Sequence, residues 1–140
     1  MNRIAERKIV VRKTEPGMSP FWDYIGMREL KIEDGYAELR IDITPDLLQR
    51  RGVVHGGVLA TLIDGVIGSA VRSTLTDELG SATVELKVNY IRPAKGEYLI
   101  AKSKLTYRGG TLAVGQAEVF DSEGTLTAIG TATFMILKKR

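Results

Sequence analysis

The sequence of 140 residues predicts an α+β domain in which an antiparallel sheet curls around one long central helix. Three observations carry this prediction: an apolar segment of helical length, strand-like alternation on both sides of it, and turn signals between consecutive strands. A helix that is apolar all round must be covered, and an alternating sheet has one apolar face, so each buries the other. Because no repeat or linker divides the chain, we expect a single domain.

The residues before the central helix indicate a short helical turn followed by a β-hairpin. Residues 20–24 (PFWDY) concentrate aromatic side chains, as in a helical turn or lid, and a strand-like alternation begins with Arg28, Leu30 and Ile32. The sequence Glu-Asp-Gly at 33–35 is a hairpin signal, and residues 36–43 alternate as a half-buried strand does. The Thr-Pro-Asp sequence at 44–46 ends that strand.

The central helix is predicted from about residue 54 to residue 75. Its small residues, Gly57, Thr61, Gly65 and Gly68, recur at spacings of three or four, which places them on one stripe of the helix surface. A glycine in a helix interior costs up to about 1 kcal/mol relative to alanine. The stripe therefore predicts close packing rather than helix propensity.

Four strands are predicted after the helix, at residues 84–90, 98–107, 112–120 and 125–137. A loop that contains proline joins the first two, and glycine-containing turns at 108–110 and 121–124 join the others. The whole order is two strands, one helix and four strands.

The composition excludes several classes of protein. The chain has no cysteine and a single histidine, which rules out disulfides, a thiolate nucleophile and metal sites built from cysteine or several histidines. A net charge of +3 with scattered basic residues falls short of a nucleic-acid-binding surface. The absence of cysteine and of an apolar leader at the N-terminus favours the cytoplasm. We further expect no membrane partner, no nucleic-acid partner and no cofactor.

Asp64 is unusual because it lies among apolar residues of the central helix. A carboxylate buried there without partners would be costly. One interpretation is a structural aspartate whose oxygens are satisfied by hydrogen bonds. The other is a functional carboxylate at a cleft.

The segment Gly-Val-Val-His-Gly-Gly at 52–57 leads directly into the helix. The first amide groups of a helix have no partner within it and carry partial positive charge, and glycine lets a ligand oxygen approach them. The segment therefore suits an oxyanion site, and a glycine-rich helix entry capped by His55 is the alternative.

The spacing of the two features predicts a dimer. Gly56 and Asp64 are eight residues apart, so on one helix they are separated by about 12 Å along the axis and about 80° around it. They cannot converge on one reacting carbon. If two copies of the helix pack antiparallel about a two-fold axis, Gly56 of one lies beside Asp64 of the other.

The pattern of Gln49, Gly52 and His55-Gly56-Gly57 followed by Asp64 resembles the H-G-G-x6-D/E signature of the PaaI-like hotdog-fold acyl-CoA thioesterases. The similarity extends over residues 20–137 and includes the runs 83–86 and 90–94. It implies a hotdog domain at 20–140 after a basic extension at 1–19. It also implies hydrolysis of acyl-CoA or aroyl-CoA thioesters by a homodimer or homotetramer.

The same resemblance implies residue roles. Asp64 is the catalytic base or nucleophile and the Gly56 amide holds the thioester oxygen. His55 positions the segment, Gln49 lies near the carbonyl, and Thr83 contacts the carboxylate or its water. Members of the phenylacetate pathway usually carry asparagine at the position of Gln49, whereas glutamine there is typical of the hydroxybenzoyl-CoA type, which pairs it with glutamate.

Further candidates bind the substrate or belong to ordinary structure. Candidates for contacts with the CoA moiety, or else simple turn residues, are Gly57, Arg92, Lys95, Arg108, Gly110 and Thr111. Phe21, Trp22 and Tyr24 line the acyl pocket or the core. The alternative function is a non-catalytic acyl-CoA-binding hotdog module, while a hotdog hydratase would need a different arrangement around its histidine.

Overall fold

The computed structural model describes residues 14–139. The elements of the chain are, in order, α1 Pro20–Ile25, β1 Met27–Glu33, β2 Tyr36–Asp42, a 3-10 turn Pro45–Leu47, α2 Gly56–Arg72, β3 Leu79–Tyr90, β4 Tyr98–Arg108, β5 Leu112–Asp121 and β6 Leu126–Lys138. The predicted order of strands and helix is therefore confirmed. Most of the predicted basic extension, residues 1–13, lies outside the described residues.

The six strands form one antiparallel sheet in the order β1-β2-β4-β5-β6-β3. Helix α2 lies across one face of this sheet and contacts all six strands. The β1–β2 hairpin turns at Asp34-Gly35, where Gly35 has a φ of +75° that favours glycine. The hotdog fold, a sheet wrapped around one helix, is thus confirmed.

The core lies between α2 and the inner face of the sheet. Fully buried side chains of the helix, Ile63 and Ile67 among them, meet Leu39, Leu99 and Val119 of the strands. Each such side chain contributes about 1.5–3 kcal/mol by leaving water. Within residues 14–139 no helix has the length and apolar character needed to span a membrane.

Helix α2 is shorter than the sequence predicts. It begins at Gly56 because His55 caps it, and it ends at Arg72 because the hydroxyls of Ser73 and Thr74 donate to the preceding carbonyls of Ala70 and Val71. Such side-chain bonds compete with the next helical turn.

Helix α2 is not covered on every side within residues 14–139. The stripe of Gly57, Thr61, Gly65 and Gly68, with Asp64 beside it, is partly or fully exposed, and cavities lie against all of these residues except Gly57.

Strand β3 starts earlier than predicted and does not show the expected half-burial. Within residues 14–139 it pairs only with β6, so it forms one edge of the described sheet. Val84 is 57% exposed and Leu86 37%. A register shift between Thr83 and Glu85 marks a bulge, which redirects side chains locally. Strand β3 therefore leaves an apolar edge uncovered in the single chain.

Strand β1 also differs from the predicted alternation. Glu29 is buried and Leu30 is 41% exposed, although the sequence pattern makes Leu30 the apolar member. A register shift between Glu29 and Lys31 breaks the alternation at this point. The buried carboxylate of Glu29 is therefore a feature that the sequence pattern did not predict.

Candidate active site

Asp64 lies midway along α2 and is only partly buried. The hydroxyl of Thr83 donates a hydrogen bond of 2.7 Å to Asp64 Oδ1, and the bulge of β3 at Thr83 allows that approach. Asp64 Oδ2 has no hydrogen-bond partner among residues 14–139. One oxygen of the carboxylate is thus held in place while the other is open to a ligand or water.

The start of α2 leaves one amide unpaired. His55 Nδ1 accepts a hydrogen bond of 2.9 Å from the Gly57 amide, and the Val58 amide donates to the carbonyl of His55 at 2.9 Å. The Gly56 amide has no acceptor in the part of the chain that the structure describes. His55 therefore acts as a cap, and its capping leaves Gly56 as the free donor at the helix start.

Tyr90, at the end of β3, is a residue of this region that the sequence reasoning did not single out. Its hydroxyl donates to the Gly56 carbonyl at 2.9 Å. A Cβ added to Gly56 would lie 3.2 Å from the Tyr90 ring, so the ring fits closely against glycine. Because 34 residues separate the two along the chain, no local sequence signal points to this contact.

Gly56 and Asp64 open onto different cavities. Gly56 and Tyr90 line one of about 330 Å³ together with Arg92. Asp64 lines a second of about 330 Å³ that follows α2 to Arg72. Asp64 also lines a third, of about 210 Å³. None of these three cavities contains both Gly56 and Asp64, in agreement with their separation of about 12 Å along one helix.

The aromatic residues of α1 are divided between the surface and the cavities. Trp22 lines both cavities that contain Asp64, and Phe21 lines the smaller one. Tyr24 is 87% exposed and lines neither. Of these three residues, Trp22 therefore has the most suitable position for a wall of an acyl pocket.

Gln49 takes part in a local turn. Its side-chain oxygen accepts a hydrogen bond from the Arg51 amide, and its carbonyl accepts one of 3.0 Å from the Gly52 amide. Gly52 has a φ of +79°, a conformation for which glycine is suited. Gln49 thus shapes the loop that leads to the helix start.

The candidate CoA-binding residues form two groups at opposite ends of α2. Arg92 lines the cavity of Gly56, where its guanidinium donates to the Leu126 carbonyl at 3.1 Å, and Lys95 is exposed on the same loop. Arg108 donates to Thr74 Oγ1 at 2.9 Å, just beyond the C-terminal end of α2. Gly110 and Thr111 are exposed on the same hairpin. A helix of 17 residues is about 25 Å long, so one chain does not bring these groups together.

A carboxylate on β1, that of Glu29, contacts the C-terminal part of α2. Glu29 accepts hydrogen bonds from the Ser69 hydroxyl at 2.8 Å and from the Thr14 amide at 2.7 Å. It also forms an ion pair with Arg72, and its own side chain is 1% exposed. This polar cluster was not predicted, because Glu29 is 40 residues from Ser69 and 43 residues from Arg72 in the sequence.

A sheet wrapped around one helix is the hotdog fold, which this chain shares with solved structures of thioesterases. The chain belongs to the thioesterase superfamily, whose family model matches residues 51–128. These residues include the whole of α2 with its cap. The protein is accordingly a thioester hydrolase, as the resemblance implied.

Relatives cover most of the chain. The medium/long-chain acyl-CoA thioesterase YigI of Escherichia coli is 33% identical over 132 residues, which are 84% of this chain and 85% of the relative. A thioesterase family protein from Silicibacter pomeroyi superposes with a TM-score of 0.83 at 31% identity, covering 86% of this chain and 91% of its own. The BH2602 protein from Bacillus halodurans, whose structure was solved with CoA, has a TM-score of 0.70 and 34% identity, covering 71% of this chain and 66% of its own.

Proposed function

We propose that the protein hydrolyses acyl-CoA or aroyl-CoA thioesters to free acid and CoA, with Asp64 as base or nucleophile and the Gly56 amide as oxyanion donor. The observation that carries the proposal is that α2 presents a carboxylate and an amide that are both available to a ligand. Its carboxylate is held by Thr83 with one oxygen free, and its cap leaves the Gly56 amide unpaired. Two relatives support the substrate: YigI is an acyl-CoA thioesterase, and BH2602 was solved with CoA.

The chemistry requires only these groups and water. In the base route, Asp64 takes a proton from water as the water oxygen attacks the thioester carbon. In the nucleophilic route, the carboxylate attacks and water then cleaves the mixed anhydride. Either way negative charge develops on the carbonyl oxygen, which the Gly56 amide stabilises. The leaving group is a thiol, and because a thiol such as that of cysteine has a reference pKa of only about 8.5, the thiolate leaves without prior protonation.

The proposed site is shared between two copies of the chain. Gly56 and Asp64 face separate cavities, so a second copy has to supply the missing half of each site. The uncovered edge of β3, with Val84 and Leu86 exposed, supports this arrangement because an open apolar edge favours pairing with another strand. Pairing of two β3 edges about a two-fold axis would set the two α2 helices side by side and antiparallel.

The same arrangement gives the CoA moiety a binding surface. The N-terminal end of one antiparallel α2 lies next to the C-terminal end of the other. Arg92 and Lys95 of one copy would then be near Arg108, Gly110 and Thr111 of the second copy. Basic side chains and open amides on both sides suit the phosphates of CoA.

An enzyme without cysteine that acts on CoA thioesters fits the cytoplasm.

The test of the function is thiol release from a panel of acyl-CoA and aroyl-CoA thioesters by the purified protein. Release above the uncatalysed rate with at least one member is the expected result. Binding of acyl-CoA, followed by calorimetry, without thiol release from any member would instead identify a non-catalytic acyl-CoA-binding module.

Sharing of the site predicts that two inactive variants rescue each other. Asp64→Ala removes the carboxylate and Gly56→Pro removes the amide donor. Proline suits the first position of a helix, and the extended conformation of His55, with φ −59° and ψ 137°, is the one required before proline. Mixing equal amounts under subunit exchange should restore about a quarter of the wild-type rate, because half of the dimers are mixed and each has one intact site.

Gly56→Ala is the matched control for the proline variant. It brings a side chain against Tyr90 in the same way but keeps the amide hydrogen, so it should remain more active than Gly56→Pro. An absence of rescue in mixtures that contain heterodimers, as detected by native mass spectrometry, would contradict the shared site.

A further inference from the structure

The cavity that runs from Asp64 along α2 ends at cationic side chains that thioester hydrolysis does not require. Its volume is about 330 Å³, and α2 contributes Asp64, Gly65, Gly68, Ser69 and Arg72 to its lining. Lys139 also lines this cavity and shares the lining of a neighbouring cavity with Arg72. The residues of this lining that lie between Asp64 and Arg72 are small, so they leave room for an acyl group along the helix.

Arg72 is held at the end of this cavity by a buried carboxylate. The side chain of Glu29 is 1% exposed and pairs with the guanidinium of Arg72, whose own side chain is 39% exposed. Ser69 and Thr14 donate further hydrogen bonds to Glu29. Glu29 is thus fully engaged, and it fixes the direction in which the guanidinium points.

The guanidinium retains hydrogen-bonding capacity. Arginine has five N–H donors, and in residues 14–139 the only partner of Arg72 is Glu29. Arg72 and Lys139 give the cavity lining two positive charges, while Glu29 carries one negative charge beside Arg72 and Asp77 lines the adjoining cavity. An oxygen anion placed beside the Arg72 guanidinium gains charge-assisted hydrogen bonds. A methyl group in the same place would displace water from the guanidinium without replacing the lost hydrogen bonds.

We propose that this cavity is the acyl pocket and that Arg72 selects acyl groups that end in a carboxylate, as in CoA thioesters of dicarboxylic acids. The inference rests on the proposed function. Asp64 and Arg72 are about 12 Å apart along the axis, and helical side chains point back toward the N-terminus. The guanidinium is therefore within reach of an acyl group whose thioester carbon lies at Asp64.

The test compares three six-carbon CoA thioesters with the wild type: adipyl-CoA, 6-hydroxyhexanoyl-CoA and hexanoyl-CoA. They differ only in an ionised, a neutral polar or an apolar end. We expect kcat/KM for adipyl-CoA to exceed that for hexanoyl-CoA by about tenfold, the usual effect of a charge-assisted hydrogen bond. A rate with 6-hydroxyhexanoyl-CoA equal to that with adipyl-CoA would overturn selection of a carboxylate.

The double variant Glu29→Gln/Arg72→Met tests the assignment to Arg72. It removes both members of the pair, because Arg72→Met alone would leave a buried carboxylate without its partner. The adipyl-to-hexanoyl ratio of kcat/KM should fall by about tenfold. The matched control is Arg28→Met/Asp42→Asn, which removes an exposed arginine–carboxylate pair at 3.3 Å and should leave the ratio as in the wild type.

Lys139→Met provides a second variant in case the double variant does not fold. Lys139 is exposed, and its replacement should lower the same ratio about threefold through the lost charge. An unchanged ratio in the folded double variant, or a wild type that prefers hexanoyl-CoA, would overturn the inference while leaving the proposed function intact. A wild type that hydrolyses no thioester of any kind would overturn the proposed function itself, and this inference with it.

Discussion

Asp64→Asn should lower kcat/KM for thioester hydrolysis by about a thousandfold, the size of effect expected when a general base or nucleophile is removed. Asparagine has the shape of aspartate, and its amide oxygen can still accept the 2.7 Å hydrogen bond of Thr83. The loss would therefore come from the missing negative charge, which both a general base and a nucleophile require. Thiol release measures the rate, and thermal unfolding shows that the fold is kept.

The control for this variant is Asp42→Asn. Asp42 is an exposed aspartate of β2 paired with Arg40 and Arg28, and the hydrogen bond from Arg40 is the main cause of its lowered pKa. Its replacement removes the same charge outside the cavities that Asp64 lines and should leave the rate within a factor of about two. If Asp64→Asn kept more than about a tenth of the wild-type rate, the carboxylate would be neither base nor nucleophile.

Gly130→Ala should reduce the free energy of unfolding by about 3 kcal/mol or more, at the upper end of the range for overpacked cores. A Cβ at Gly130 would lie 2.6 Å from the backbone oxygen of Lys87 and 2.7 Å from Ile63 Cγ2. Lys87 belongs to β3, which is paired with β6 at this point, and Ile63 is fully buried in α2. The methyl group is trapped between strand and helix, so relief requires the sheet to shift.

Urea denaturation of Gly130→Ala measures this loss, and Gly110→Ala is the matched control. No atom lies within 4 Å of a Cβ at Gly110, so that variant should differ from the wild type by less than about 0.5 kcal/mol. A loss of less than about 1 kcal/mol at Gly130 would mean that β3 and α2 separate more easily than the close packing indicates.

Local sequence patterns predicted most of the secondary structure because they depend on nearest neighbours. Alternation in residues 36–43 and the Asp34-Gly35 turn need no information from elsewhere in the chain. The pattern misled at β1, where the bulge after Glu29 reverses which side chains face inward. Whether a glutamate can be buried there depends on Ser69 and Arg72, and no local window contains all three.

The candidate site also contains residues that the local sequence indicates and contacts that it does not. The helix start and Asp64 stand out in the sequence because a glycine pair and a carboxylate interrupt an apolar run. Thr83 was identified only by resemblance, and its hydrogen bond to Asp64 bridges 19 residues. The contact of Tyr90 with Gly56 depends on how the end of β3 lies over the start of α2, so the sequence carries no sign of it.

The pair formed by Glu29 and Arg72 constrains how this chain can diverge. Substitution of Arg72 alone leaves the buried carboxylate of Glu29 without its partner, and such an intermediate sequence would be selected against. The two positions should therefore change together during evolutionary drift. Relatives would then differ at the end of this cavity in paired steps, with the ionic pair either retained as a whole or replaced as a whole by neutral residues.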